Sequence, residues 1–334
     1  MRTAVLSGKN QLTVELRSTP VPGPGEVLIR VKTVGICGSD VHYFTQGRIG
    51  DFVVEFPLVL GHEAMGQIVA VGEGVAATRV GERVSIEPQR NCRRCRYCVA
   101  GRYNLCTEMR FLATPPVDGA LADFIVALSE FAHAVPDSIS DDAAALLEPL
   151  SVAIAAVRRA GISPGSRVLI AGAGPIGVLC ASVSRAFGAK DVVITDLIHS
   201  KLAVAETFGA TSSIDPSVTD LASLRLGVDA FIDATGAAAA IDSGIRSVGP
   251  GGTAVLVGMG ATSVPVPIAH LQANEILLTG IFRYTGTWPL AIHLVDSGQV
   301  PLDSLVTARY DLHDGLAAFS AEAATHSLKT MIDM

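Results

Sequence analysis

Long uninterrupted apolar runs are missing from this 334-residue chain. The longest candidate, Val168 to Val183, is cut by Gly172, Gly174, Pro175 and Gly177, so it does not read as a membrane span. The opening residues, MRTAVLSGKN, hold no apolar h-region and no cleavage site, which predicts no secretory leader. Charge is also scarce. Only 17% of residues are charged while 49% are apolar, a balance that supports a large core and excludes general disorder. The formal net charge of −7 argues against nucleic acid or an anionic membrane as a partner. Repeats, low-complexity linkers and long charge runs are absent. A cytoplasmic protein follows, and the length predicts two domains rather than one core.

Two textures divide the chain. Up to about residue 145, short alternating or apolar runs such as Val27–Val31, Gly66–Val71 and Arg83–Ile86 are punctuated by Gly and Pro, which predicts a small β-barrel-like domain. From Asp142 to Ala160 the chain is alanine-rich and reads as mainly helical. Strands then alternate with helices: strand 167–171, helix 176–187, strand 191–195, helix 201–208, strands 229–233 and 253–257. That order predicts an α/β domain built on a parallel sheet with helices on both faces.

Gly172-Ala-Gly-Pro-Ile-Gly177 is a G-x-G-x-x-G run between a strand and a helix, the context in which it binds a dinucleotide. Gly172 permits the tight turn, Gly174 the approach of the pyrophosphate, and Gly177 close packing. The helix N-terminus offers N–H groups to the phosphates. Asp196 ends the next strand. Its carboxylate suits both ribose hydroxyls and repels a 2′-phosphate, which predicts NAD rather than NADP.

The six cysteines are unevenly placed. Cys92-x2-Cys95-x2-Cys98-x7-Cys106 puts four on one loop, a set that can close tetrahedrally around a structural zinc. The interleaved Arg90, Arg93, Arg94, Arg96 and Arg102 could mimic a nucleic-acid knuckle, but in an acidic chain they read as a solvated lobe. A second, dispersed set is Cys37, His62, Glu63 and Glu148. Flanking glycines in Gly35-Ile-Cys-Gly-Ser-Asp40 and Gly61-His-Glu-Ala-Met-Gly66 let a thiolate, an imidazole and a carboxylate converge, with a position left open as catalytic zinc requires.

Gly61-His-Glu-x2-Gly66-x5-Gly72-x2-Val75, with Gly35–Asp40 and the four-cysteine lobe, resembles the zinc-containing medium-chain dehydrogenases over essentially the whole chain. Gly38–Tyr43, Gly47–Val53, Pro57–Glu63, Gly101–Leu105, Ala113–Pro116, Leu147–Val152, Phe282–Tyr284 and Thr287–Pro289 are most similar to the polyol (sorbitol-type) branch. The resemblance implies a GroES-like catalytic domain of residues 1–147 and 281–334, and a Rossmann domain of residues 148–280. It implies two Zn²⁺ per subunit, NAD, a polyol substrate oxidised at a secondary hydroxyl to the ketose, and a homotetramer. Cys37, His62 and Glu63 would bind catalytic zinc, and Glu148 would hold its water or replace it. Ser39 and His42 would relay the proton. Tyr43, Glu148, Arg283 and Tyr284 would contact the polyol. Around NAD stand Gly172, Gly174, Pro175, Ile176, Gly177, Asp196, Lys201, Val257, Gly258, Met259, Ile281, Phe282 and Arg283. Two features stand apart from the polyol branch. The complete cysteine lobe is shared with threonine and simple alcohol dehydrogenases, which are the alternative activity. And Lys201 stands where an arginine is common, giving a point charge in place of a planar fork.

Overall fold

The computed structural model describes residues 1–260, 263–324 and 328–334. The chain forms two compact units, Met1–Glu148 with Leu302–Met334, and Pro149–Pro301. No helix among the described residues is long and apolar enough to cross a membrane.

The first unit is mostly β. Its largest sheet has seven strands, with β1 (Glu26–Gly35) near the middle. After β1 comes helix α1 (Gly38–Gln46), then β2 (Glu63–Val71) and β3 (Arg83–Ile86). β1 pairs antiparallel with β2 on one side; on the other, Glu26–Arg30 pairs with Phe124–Leu128 and Thr33–Gly35 with the C-terminal strand Lys329–Asp333. The valines and Ile29 of β1 point into the core, where Val27, Ile29 and Val34 are fully buried, while Arg30 and Lys32 face out. A second sheet of three strands joins Arg2–Gly8, Gln11–Leu16 and Leu58–Val59.

The helical stretch expected at 142–160 is two helices, Asp141–Ala145 and Leu147–Arg159. Pro149 accounts for the break. Its ring would clash with the carbonyl of Ala145, four residues back, in a continuous helix.

The second unit is a six-stranded parallel sheet. In chain order its parts are β4 (Arg167–Ala171), α2 (Pro175–Ala186), β5 (Asp191–Thr195), α3 (His199–Thr207), β6 (Ser212–Ile214), β7 (Val228–Asp233), α4 (Ala238–Arg246), β8 (Val248–Leu256) and β9 (Leu277–Gly280). The spatial order is β6-β5-β4-β7-β8-β9, so strand order reverses beside β4, the Rossmann arrangement. Val168, Leu169 and Ile170 are at most 1% exposed, and burial of each contributes about 1.5–3 kcal/mol. The unit runs to Pro301 rather than ending at Gly280, and Glu148 falls in the first unit. Within the extension, helix α5 (Trp288–Asp296) buries Trp288, Ala291 and Leu294, and Tyr284 packs edge-on against Trp288.

Candidate active site

Cys37, His62 and Glu63 converge. Each offers a ligand atom within 4.8 Å of the other two. Strand register explains Glu63. It opens β2 directly opposite Gly35 at the end of β1, and a Cβ at Gly35 would lie 2.3 Å from its carboxylate. Only a residue without a side chain leaves that carboxylate its place. Cys37 caps α1 from just outside. Asp40, in the first turn, is fully buried and accepts from the Cys37 N–H at 3.2 Å and the Gly61 N–H at 3.1 Å. Its carboxylate also lies 3.5 Å from His62 Nδ1. Asp40 thus holds both segments and orients the imidazole, as second-layer carboxylates do for ligating histidines. Burial pushes the His62 pKa down, but the negative charges of Asp40 and then Cys37 outweigh it, and the pKa stands well above the usual imidazole value. Such a histidine must release a proton to ligate a metal.

Both oxygens of the Glu63 carboxylate accept from Lys329 Nζ at 2.7 Å, and the same ammonium donates to the Ile36 carbonyl at 3.0 Å. Lys329 is 3% exposed and Glu63 is fully buried. Burial pushes the lysine pKa down, yet the charge of Glu63 and next that of Cys37 raise it overall. Sequence reasoning overlooked Lys329, and no local signal marks it. It stands 266 positions from Glu63 and arrives only through the pairing of the last strand with β1. Asp40 carried a readable signal, an acid three residues after the residue that caps a helix. Glu148 is buried but lies outside the converging trio.

The four lobe cysteines also gather, with every sulfur within 4.8 Å of the others. Backbone N–H groups point at them: Cys95 N donates to Cys92 Sγ and Cys92 N to Cys106 Sγ, both at 3.3 Å. The Cys98 N–H pulls the Cys95 thiol down to about 6, while desolvation pushes Cys98 up to about 12. Four crowded sulfurs without a cation cannot all ionise; a divalent soft-accepting metal resolves that conflict, and the set fits zinc. Arg90 pairs with Glu26, Arg93 with Glu130 at 3.1 Å and Arg94 with Glu108 at 2.8 Å, while Arg96 covers the Tyr97 ring. Their charge is therefore engaged within the unit rather than presented as one basic face.

In the second unit, Gly172 has φ +95°, and a Cβ on Gly177 would sit 1.7 Å from the Gly172 carbonyl oxygen. Gly174 differs from both. A Cβ there would meet nothing within 4 Å, so the space ahead of the α2 N-terminus is open, as a bound pyrophosphate needs. Asp196 Oδ2 accepts from the Ala173 N–H at 2.8 Å and Oδ1 from Ile198 N–H at 2.9 Å. Each oxygen keeps a lone pair for a ribose hydroxyl. Pro175, Ile176, Asp196, Lys201, Val257, Gly258 and Ile281 are half-buried; Met259 and Phe282 are exposed.

The remaining candidates are placed as follows. Ser39 is half-buried in the first turn of α1, and His42 is exposed with Nδ1 3.2 Å from Gln46 Nε2. Tyr43, 4% exposed, belongs to the first unit's core cluster, and Tyr284 is 1% exposed. Arg283 adopts φ +56°, uncommon for a residue with a Cβ, and its guanidinium lies 4.7 Å from the Phe282 ring centre.

Residues 23–137 match the family model described as alcohol dehydrogenase GroES-like domain, and residues 175–297 that described as zinc-binding dehydrogenase. The chain is 44% identical over 340 residues to the probable D-xylulose reductase A of Neosartorya fischeri, covering 98% of this chain and 95% of that one. It is 43% identical over 336 residues to the sorbitol dehydrogenase of Bos taurus, covering 98% and 94%. Among solved structures, L-idonate 5-dehydrogenase from Escherichia coli superposes with a TM-score of 0.94 at 29% identity, covering 100% of this chain and 98% of that one.

Proposed function

This chain belongs to the zinc-dependent medium-chain dehydrogenases, and from that premise we propose that it oxidises a secondary hydroxyl of a polyol to the ketose with NAD. The observation that carries the reading is the buried trio Cys37, His62 and Glu63, braced by Asp40 and Lys329, in a chain similar throughout to polyol-acting enzymes. Zinc, when bound, polarises the reacting hydroxyl, and the nicotinamide takes up the hydride. The protein's own residues do the rest. Cys37 and His62 hold the metal, and Glu63 or Glu148 is the third protein ligand. Ser39 and His42 pass the hydroxyl proton outward; the exposure of His42 supports its place at the solvent end. Arg283, Tyr284, Tyr43 and Glu148 bind the other hydroxyls. The left-handed backbone of Arg283 supports its role, since strain of this kind collects where a side chain must be aimed.

Cofactor contacts are proposed for Gly172, Gly174, Pro175, Ile176, Gly177, Asp196, Lys201, Val257–Met259 and Ile281–Arg283. NAD is preferred in this reading because the Asp196 carboxylate, tied to the glycine turn, would accept from the ribose hydroxyls and repel a 2′-phosphate. The panel that tests the reading is sorbitol, xylitol, threonine and ethanol, each with NAD and NADP. Turnover is expected on a polyol with NAD, and Asp196→Ala should narrow the preference for NAD about ten-fold or more, the loss of a charge-assisted hydrogen-bond pair. Turnover of threonine alone, or a native preference for NADP, would overturn it.

Two zinc ions per chain are proposed, the second on Cys92, Cys95, Cys98 and Cys106. Metal analysis should find two in the native protein and one in Cys106→Ser, with the melting temperature lowered by that substitution. Two zinc ions retained in that variant would contradict the assignment. A cytoplasmic location is supported by six free cysteines, four of them clustered, which suits a reducing compartment. A homotetramer is supported by β9, an edge strand on which Leu277 is 57% exposed.

A further inference from the structure

We propose that Asp233 is a positioning residue for the dinucleotide: it fixes the mutual placement of the two backbone segments that receive the cofactor without being one of them. The inference rests on the reading that the ends of β4, β7 and β8 hold NAD. Asp233 closes β7, between β4 and β8, and is fully buried. It forms no ion pair among the described residues. A carboxylate in that position is costly to keep, so its partners indicate what it is kept for.

Those partners are a single turn. Oδ1 accepts from the Thr235 N–H at 3.0 Å and from Thr235 Oγ1 at 2.6 Å, and Oδ2 accepts from the Gly236 N–H at 3.0 Å. Thr235 Oγ1 in turn accepts from Ala237 N at 3.0 Å, just before α4. The Asp233 backbone carbonyl takes the N–H groups of Val257 at 2.9 Å and Gly258 at 3.0 Å. One residue therefore binds the turn after β7 through its side chain and the segment after β8 through its backbone.

The turn then touches both cofactor segments so closely that side chains are excluded. A Cβ on Gly172 would lie 2.8 Å from Thr235 Cγ2. A Cβ on Gly258 would lie 2.2 Å from Gly236 N, and one on Gly236 would lie 2.7 Å from Gly260 N. The phosphate turn sits against the Thr235 methyl and the Ala234 backbone, and the 234–236 turn and the 257–260 segment are stacked backbone on backbone. A neutral side chain cannot supply two acceptor oxygens to that turn. Loosening it shifts the phosphate turn against the segment that follows β8, and binding geometry suffers before the core does.

The test measures NADH affinity by nicotinamide fluorescence, KM for NAD against kcat, and the melting temperature, in native protein and in Asp233→Asn, Thr235→Val and Gly174→Ala. In Asp233→Asn the new NH2 group meets the Gly236 N–H. Its Kd and KM should rise about ten-fold, with kcat at saturating NAD close to native. Thr235 is exposed, so Thr235→Val keeps the fold; removing one donor should raise Kd in the same direction by a smaller factor. Gly174→Ala tests the underlying reading. It has room in the protein, so its melting temperature should stay native while its Kd rises. If Gly174→Ala weakens NADH binding but Asp233→Asn and Thr235→Val only lower the melting temperature, Asp233 is structural and the proposal fails. If Gly174→Ala binds NADH like the native protein, the cofactor placement itself fails and takes the proposal with it.

Discussion

Cys37→Ser is expected to abolish alcohol oxidation while NAD still binds. The sulfur is one of three ligand atoms within 4.8 Å of each other, and it sits at the start of α1, where the chain has little freedom to replace it. Serine is smaller and harder and stays a neutral alcohol at neutral pH, so zinc loses its softest and one of its charged donors. Lewis-acid help amounts to several kcal/mol, so the loss in kcat should be on the order of a thousand-fold or more. The glycine turn at 172–177 lies in the other unit, with its own strand pairing and core, so nicotinamide fluorescence titration should give a native Kd. Metal content should fall by one ion per chain. Full activity in this variant would rule out the zinc mechanism.

In zinc-free protein, Lys329→Met should destabilise the first unit by about 3–5 kcal/mol, the penalty for leaving a buried carboxylate without its counter-charge. Glu63 is fully buried, and both of its oxygens take the Lys329 ammonium. Methionine nearly matches the lysine stem in volume, so the loss reports charge rather than a cavity. Adding Glu63→Gln should recover most of the stability without restoring turnover, because the amide relieves the unpaired charge but is a poorer metal ligand. Urea unfolding of both single variants and the double variant would give the coupling directly; additive losses would mean that the pair does not act as a unit. The pH dependence has a definite sign. The Lys329 pKa is raised, so the pair's contribution is complete at neutral pH, and it is lost only as pH climbs through that raised value, above the usual lysine range.

Much of the second unit was legible because its signals are local. The strands at 167–171 and 191–195 fall where apolar runs bounded by turn residues place them, and the three glycines do their work within six positions of one another. The cysteine lobe was legible for the same reason. The trio of Cys37, His62 and Glu63 was only partly so. Glycines hinted at convergence, but its cause, Glu63 opposite Gly35, is a register between strands, and register is not written at either position alone. Lys329 is the extreme case, a residue whose meaning depends on a strand pairing nearly the length of the chain away. The unit boundary was not legible in the same way: residues 281–301 carry no texture that assigns them, and they group with Pro149–Pro301 only by their contacts in the folded chain.

The order of synthesis adds a constraint. The strand Lys329–Asp333 lies inside the seven-stranded sheet, between β1 and Val306–Asp311. On the ribosome, Glu26–Arg30 of β1 can pair early with Phe124–Leu128, but Thr33–Gly35 waits for its neighbour until Met331–Asp333 has been made. The second unit is contiguous, so it can finish folding while the first still has an open sheet edge. The nascent first unit therefore exposes the Thr33–Gly35 end of β1, with the Glu63 carboxylate lacking Lys329, until the last strand arrives. An unpaired strand end of this kind is an aggregation hazard, and here it lies in the part of the molecule that began to form first.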